Sequence, residues 1–306
     1  MTKEEFKELT RQPVLLDGAV GSNMLKAGMP RGSCTEKWLS EHKDLILALQ
    51  KAYVEAGTQI LYAPTFGANR ISLKEHGLGE EVTEINRRLV EYAKEAADGR
   101  AYVAGDITTT GKILYFDDDY DDSDAYDNYS EQIQILVDAG VDLIVAETMI
   151  SFDEATIALD ACSNICDLPL ICTMSVSSDG GIFYGGNLVN LAADLESLGI
   201  DAVGLNCSVA PSHLNSIVEN IAARVSIPVV AKPNAGIPEI GPDGNALYNL
   251  TPEEFAQQMM DLYDCGARIL GGCCGTNPDY IRALSTALDK HIHGMRPISE
   301  ISSSIH

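Results

Sequence analysis

The chain has 306 residues, 45% of them apolar and 22% charged, enough to bury a sizeable core without disulfide staples. Lys and Arg total 21 against 45 Asp and Glu, a net charge of −24. Such a field repels phosphate backbones and anionic lipid, so nucleic-acid and membrane-surface binding are disfavoured.

The first eleven residues are charged and lack the apolar core of a secretory signal, and no apolar run approaches the ~20 residues that span a bilayer. A cytoplasmic protein is expected. There the eight cysteines are thiols, metal ligands or buried fillers rather than disulfides.

Eight short runs rich in Val, Ile, Leu and Ala read as strands buried on both faces: 14–16, 59–63, 101–105, 142–146, 170–174, 202–205, 229–232 and 268–270. Helical patterns separate them. Residues 45–56 and 81–97 are amphipathic, with Gly57 and Gly99 as stop signals. Thr251 reads as an N-cap, with Pro252 at the first helical position. Eight alternating units predict a single-domain α/β (β/α)8 barrel over residues 1–291, with a polar tail at 292–306. A doubly wound open sheet is the competitor. The first strand, however, is followed by Asp17-Gly18-Ala19-Val20-Gly21-Ser22, which is not the G-x-G-x-x-G of that fold. Residues 116–127 carry Asp at seven positions from Asp117 to Asp127. Their spacing is not that of a calcium loop, so a solvated acidic loop inserted after the third strand is expected. His291 and His293 read as surface residues.

Barrel enzymes carry their chemistry where strands end. Here the strands are followed by Asp17, by Thr65-Phe66-Gly67, by Asp106, by Glu147-Thr148, by Asn206-Cys207, by Asn234 and Gly236, and by Gly271-Gly272-Cys273-Cys274-Gly275-Thr276. Cys207, Cys273 and Cys274 therefore share one rim. Successive strand residues point to opposite faces, so both members of the doublet reach one metal only if the strand has already ended. The flanking glycines permit that turn. Three thiolates with one open position form a catalytic rather than a closed structural zinc site. The other five cysteines, Cys34, Cys162, Cys166, Cys172 and Cys265, read as apolar fillers.

These motifs, in this order, resemble the homocysteine S-methyltransferase family over about residues 10–290. The wording is most similar to the N-terminal homocysteine-binding domain of cobalamin-dependent methionine synthase. Betaine- and S-methylmethionine-dependent members share the fold and the zinc motif. The resemblance implies Zn(2+) on Cys207, Cys273 and Cys274, and methyl transfer to the thiol of homocysteine to give methionine. It implies that Asp17 and Glu147 hold the substrate's ammonium and that backbone amides of Gly18, Ala19 and Val20 receive its carboxylate. Thr65, Asn206 and Asn234 join the substrate site, with Asn234 offering an oxygen to the fourth zinc position. It further implies a methyl donor, either methylcobalamin or another corrinoid carried by a partner protein or a small methyl-onium compound. A non-catalytic zinc subunit of a corrinoid complex is the alternative in another class. Pro64 and Asp106-Ile107-Thr108-Thr109 depart from the wording usual in the family.

The chemistry is consistent with the residues. A free thiol ionises near pH ~8.5, and metal coordination removes its proton. Three thiolates leave the site with a net charge of about −1, which keeps an incoming sulfur electron-rich. No histidine completes a zinc–water site and no nucleophile elbow is present, which disfavours a hydrolase.

Overall fold

The computed structural model describes residues 1–241 and 246–294. Eight parallel strands form one sheet: β1 (Val14–Leu15), β2 (Ile60–Tyr62), β3 (Tyr102–Ile107), β4 (Leu143–Met149), β5 (Leu170–Met174), β6 (Ala202–Asn206), β7 (Val229–Lys232) and β8 (Ala267–Leu270). Each strand pairs with its sequence neighbour, and β8 pairs with β1. The ring closes between β1 and β2 through a parallel bridge from Leu16 to Ile60 and a 2.8 Å bond from Gln59 N to the Leu15 carbonyl. The expected (β/α)8 barrel is therefore the observed fold.

The helices obey the expected local signals. Lys43–Ala56 stops at Gly57, which adopts φ 112°. Pro252–Asp264 opens on a reciprocal cap in which Thr251 accepts from Glu254 N and the Glu254 side chain accepts from Thr251 N. The acidic run is a correction. Only its first part is loop, because Asp121 caps the helix Asp122–Asp138 and Asp124 completes a second reciprocal cap. Negative side chains are stabilising at a helix N-terminus, so clustered Asp here starts a helix. The last helix, Pro278–Gly294, runs three residues into the expected tail, and 295–306 lie outside the described residues. In that helix His291 is partly buried and pairs with Asp264 at 2.8 Å, while His293 is exposed. Among the described residues no helix is long and apolar enough to cross a membrane.

Side chains alternate across the pleat. The barrel interior is an apolar cluster of Val14, Leu16, Ile60, Tyr62, Ala104, Leu143, Val145, Ile171, Ala202, Val230 and Ile269. Phe6, from the N-terminal helix Lys3–Leu9, packs into the same cluster. Strands β6 and β7 approach closely here. A Cβ on Gly204 would collide with the Val230 carbonyl. Two residues further along five of the strands the inward positions turn polar: Asp106 after Ala104, Glu147 after Val145, Thr173 after Ile171, Asn206 two beyond Gly204, and Lys232 after Val230. That polar ring is the floor of the site.

Candidate metal centre and substrate pocket

Cys207 follows β6 with φ 46°, a left-handed conformation that non-glycine residues rarely adopt. Cys273 and Cys274 follow β8 in a turn that has left the sheet. Cys273 N donates to the Pro233 carbonyl at 2.7 Å, Ala235 N donates to the Cys274 carbonyl at 2.9 Å, and Gly275 turns the chain at φ 85°. Gly272 is as constrained. An added Cβ there would sit 2.6 Å from Thr276 Oγ1.

The three sulfurs lie within 4.8 Å of one another, with Cys207 and Cys274 Sγ 3.6 Å apart. Thiolates about 2.3 Å from a tetrahedral zinc are roughly 3.8 Å apart, so the spacing suits the metal. Among the described residues this is the one Cys/His/Asp/Glu group with such geometry. Three neighbouring thiols cannot all ionise without a cation. Hydrogen bonds from Cys207 and Cys273 draw Cys274 down to about 3. Cys207 is pushed far up, first by its hydrogen bond with Cys273. Cys273 rises to about 11, because the bond with Cys274, burial and charge repulsion outweigh the lowering bond with Cys207. The donor set fits a soft dication.

The sulfurs open into a cavity of about 380 Å³ whose lining includes Asp17, Gly18, Ala19, Val20, Glu147 and Lys232. A larger groove, about 900 Å³, lies between the helices Pro252–Asp264 and Pro278–Gly294 on the outer wall. It contains no cysteine, and the chemistry is concentrated in the smaller cavity.

Lys232 is the floor residue that sequence reasoning missed. It is 3% exposed, and its Nζ lies 3.6 Å from Asp17 Oδ1, 3.5 Å from Glu147 Oε2 and 4.7 Å from the centre of the Tyr62 ring. Burial opposes its charge, but Glu147 and Asp17 outweigh burial and raise its pKa well above the usual range. The carboxyls respond differently. Burial lifts Asp17 to about 7 against Lys232 and the Tyr62 N–H, which donates to Asp17 Oδ2 at 2.8 Å. Burial, reinforced by Glu147, raises Asp106 well above the carboxylate range, so it keeps its proton and donates to Glu147. Glu147 is raised by burial with Lys232 opposing. We take Lys232 as charged and Asp106 as neutral. Glu36 and Tyr248 were also missed. Glu36 is buried in the cavity wall and accepts from Gly67 N at 2.8 Å. The Tyr248 hydroxyl bonds Cys274.

The remaining expected site residues divide. Asn206 is fully buried. Its Oδ1 accepts from Thr148 N at 2.7 Å and Thr173 Oγ1 at 2.8 Å, and its Nδ2 donates to Thr148 Oγ1 at 2.6 Å and Glu147 Oε2 at 3.4 Å. It orients Glu147 from behind the cavity. Thr65 is fully buried too and staples β2 to β3 by donating to the Asp106 carbonyl at 2.8 Å. Asn234 donates to the Ser208 carbonyl at 3.0 Å and leaves its Oδ1 buried without a partner. Ala19 N already donates to Thr276 Oγ1 at 3.1 Å, which removes one amide from the expected carboxylate nest. The five other cysteines stay outside the cluster, with Cys162 and Cys172 buried.

A polar floor, a cysteine triad with the spacing of a soft-metal donor set and a small cavity share one barrel rim. The family model for homocysteine S-methyltransferases matches residues 14–288, and the chain belongs to that family. It is 26% identical over 319 residues to a methionine synthase of Mycobacterium leprae (strain TN), covering 96% of this chain and 26% of that protein. It is 26% identical over 304 residues to one of Mycobacterium tuberculosis (strain ATCC 25618 / H37Rv), covering 92% and 25%. The chain thus spans about a quarter of the length of these relatives. Its fold is similar to that of the homocysteine methyltransferase MmuM from Escherichia coli in its metallated form, with TM-score 0.74, 21% identity, and coverage of 90% of this chain and 96% of that one.

Proposed function

We propose that this chain methylates the thiol of homocysteine to give methionine, using zinc held by Cys207, Cys273 and Cys274. The observation that carries the reading is the convergence of three sulfurs within 4.8 Å on the mouth of a cavity floored by Asp17, Glu147 and Lys232. Zinc, when bound, holds the acceptor sulfur as a thiolate that is a competent nucleophile toward a methyl group.

The protein's own groups do the selecting. Asp17 and Glu147 accept hydrogen bonds from the substrate ammonium, and charge-assisted contacts of this kind are among the stronger ones available. The backbone of Gly18 and Val20 borders the carboxylate. Asn206 fixes the Glu147 carboxyl, and Thr65 fixes the strand end that carries Asp106. Asn234 Oδ1, buried and unpartnered, is an oxygen available to the fourth metal position in the absence of substrate.

The donor is a methyl-corrinoid carried by a separate protein or domain. The rim supports a macromolecular donor. Phe66, Tyr115, Phe116, Phe183, Ile237 and Ile240 are exposed on segments that follow strands β2, β3, β5 and β7, Ile240 to 88%. Exposed apolar side chains gathered on the loops of one rim suit contact with a macromolecule. A small onium donor would call for an aromatic cage, and among the described residues the cavity lining offers Tyr62 and Phe66, with Tyr248 beside Cys274.

The test uses reduced, anaerobic protein assayed for zinc and for methionine formed from homocysteine. Free methylcobalamin, a methyl-corrinoid protein, betaine and S-methylmethionine are supplied in parallel. Near-stoichiometric zinc with turnover from the corrinoid donors supports the reading. Turnover from an onium donor alone replaces the donor assignment. Absence of zinc from reduced protein overturns the whole.

A further inference from the structure

We propose that Lys232 is a specificity-determining residue that binds the carboxylate of the acceptor thiol, so that the floor of the barrel reads both charges of an amino acid. This rests on the assignment of the cavity as the thiol-acceptor site.

Four observations support it. First, among the described residues Lys232 is the only Lys or Arg lining the cavity that holds the three cysteines. Second, its ammonium is not saturated. Its contacts to Asp17 and Glu147 are 3.6 and 3.5 Å, whereas charge-assisted N–H···O bonds close to about 2.7–2.9 Å. An ammonium has three donors, and loose ion pairing leaves it able to turn one toward a ligand. Third, the floor carries polar atoms with no hydrogen-bond partner, Asp17 Oδ1 having only its loose ion pair with Lys232. Asp17 Oδ1, Asp106 Oδ1 and the Tyr62 hydroxyl are all buried without a hydrogen-bond partner, and all three residues line the cavity. Buried polar groups are nearly always paired, so three orphans on one floor mark the place of a ligand. Two are carboxyl oxygens suited to an ammonium. The hydroxyl, beside Lys232, is a donor suited to a carboxylate. Fourth, the alternative receptor is depleted, since Ala19 N is committed to Thr276 Oγ1.

Charge balance favours a zwitterion over either half alone. Above about pH 7, where Asp17 is ionised, Asp17 and Glu147 oppose a single Lys232. A ligand bearing only an ammonium would compete with Lys232 for the two carboxylates. A ligand bearing only a carboxylate would add negative charge to a floor already in excess. An α-amino acid adds no net charge and places each of its groups against an unmatched partner.

The experiment measures binding rather than turnover. Zinc-loaded full-length chain is titrated calorimetrically with homocysteine, with 3-aminopropanethiol (which lacks the carboxylate) and with 4-mercaptobutyrate (which lacks the ammonium). Lys232→Met is expected to weaken homocysteine and 4-mercaptobutyrate by about 10- to 100-fold, the range for loss of a hydrogen bond to a charged group. Binding of 3-aminopropanethiol should not weaken and should tighten, because Lys232 no longer competes for the carboxylates, which also reports that the variant is folded and metal-loaded. Lys232→Arg should retain part of the carboxylate preference. Equal weakening of all three thiols would overturn the proposal in favour of a structural lysine. If Lys232→Met does not fold, the unaltered chain decides: equal affinity for homocysteine and 3-aminopropanethiol overturns the proposal. Failure of every thiol to bind the zinc-loaded chain would instead remove the acceptor-site reading, and this inference with it.

Discussion

The two ends of the barrel are made from the same strands and do opposite work. At the N-terminal end, Phe6 closes the interior against Val14, Leu143 and Ala202, and stability comes from apolar area removed from water. At the C-terminal end, inward positions on the same strands carry Asp106, Glu147, Asn206 and Lys232, all buried. Burying charge costs free energy unless it is paired. This end keeps Lys232 in two loose ion pairs beside the unpartnered Oδ1 atoms of Asp17 and Asp106. Two of the positive-φ residues, Thr148 at φ 57° and Cys207 at φ 46°, follow β4 and β6 on the upper rim. One end is optimised for folding, and the other holds unsatisfied groups for a ligand.

Separate substitutions at the two ends should break that division cleanly. The largest effect is expected for Cys273→Ser. Zinc content measured on reduced protein should fall from near one per chain to below about 0.1, with turnover lost, because a hydroxyl is a poor substitute for a thiolate at a soft site. Chelation of the native chain should reproduce the loss, and added zinc should reverse it. Phe6→Ala should do the converse. Truncating a buried Phe costs about 3–5 kcal/mol, read as a lower denaturation midpoint, with zinc stoichiometry unchanged. If Phe6→Ala also lowered zinc content in the folded state, the two ends would be coupled and the comparison would fail.

The division also explains what was legible. The eight strands were visible because both faces of each are apolar, and β5 was placed to the residue. The cysteines were visible because Cys and Gly are distinctive residues that recur at strand ends. Lys232 was not read, although the signal was present. It lies two residues beyond inward-facing Val230, as Glu147 lies two beyond Val145. A lysine closing an apolar run reads as a solvated strand end, and only the barrel's closure brings it beside Asp17 and Glu147, whose strands are far apart in sequence. Thr65 and Asn206 were placed at the right end, but their hydrogen bonds to neighbouring strands are tertiary facts. The acidic run was read by composition, whereas Asp121 and Asp124 act by position at a helix start.

A smaller effect sharpens the account of the upper end. Glu147→Gln removes one charge while keeping the shape that Asn206 holds. Homocysteine affinity should fall by about 10-fold or more, given the value of a hydrogen bond to a charged group, with zinc content unchanged. 3-Aminopropanethiol should weaken in parallel, because it carries the ammonium, while 4-mercaptobutyrate should not. Parallel loss of all three would place Glu147 in support of the rim rather than against the ammonium.

The smallest effect concerns stability of the metal-free chain as a function of pH. Asp17 titrates at about 7 in the folded protein instead of its ordinary 3.8, because burial outweighs Lys232. A folded value above the unfolded one means that the native state holds the proton more tightly. The resulting stability is fully present below pH 3.8, is lost progressively as pH rises, and is gone once pH passes about 7. Asp17→Asn has no proton to lose. The difference in unfolding free energy, native chain minus Asp17→Asn, should therefore decline between about pH 4 and 7 and level off above. The decline should be on the order of 2–4 kcal/mol. Phe6→Ala, at the apolar end, should run parallel to the native chain across the same window. A difference that rises with pH would mean that Lys232 holds Asp17 ionised in the fold, and that the upper end is a satisfied ion pair rather than a site kept short of partners.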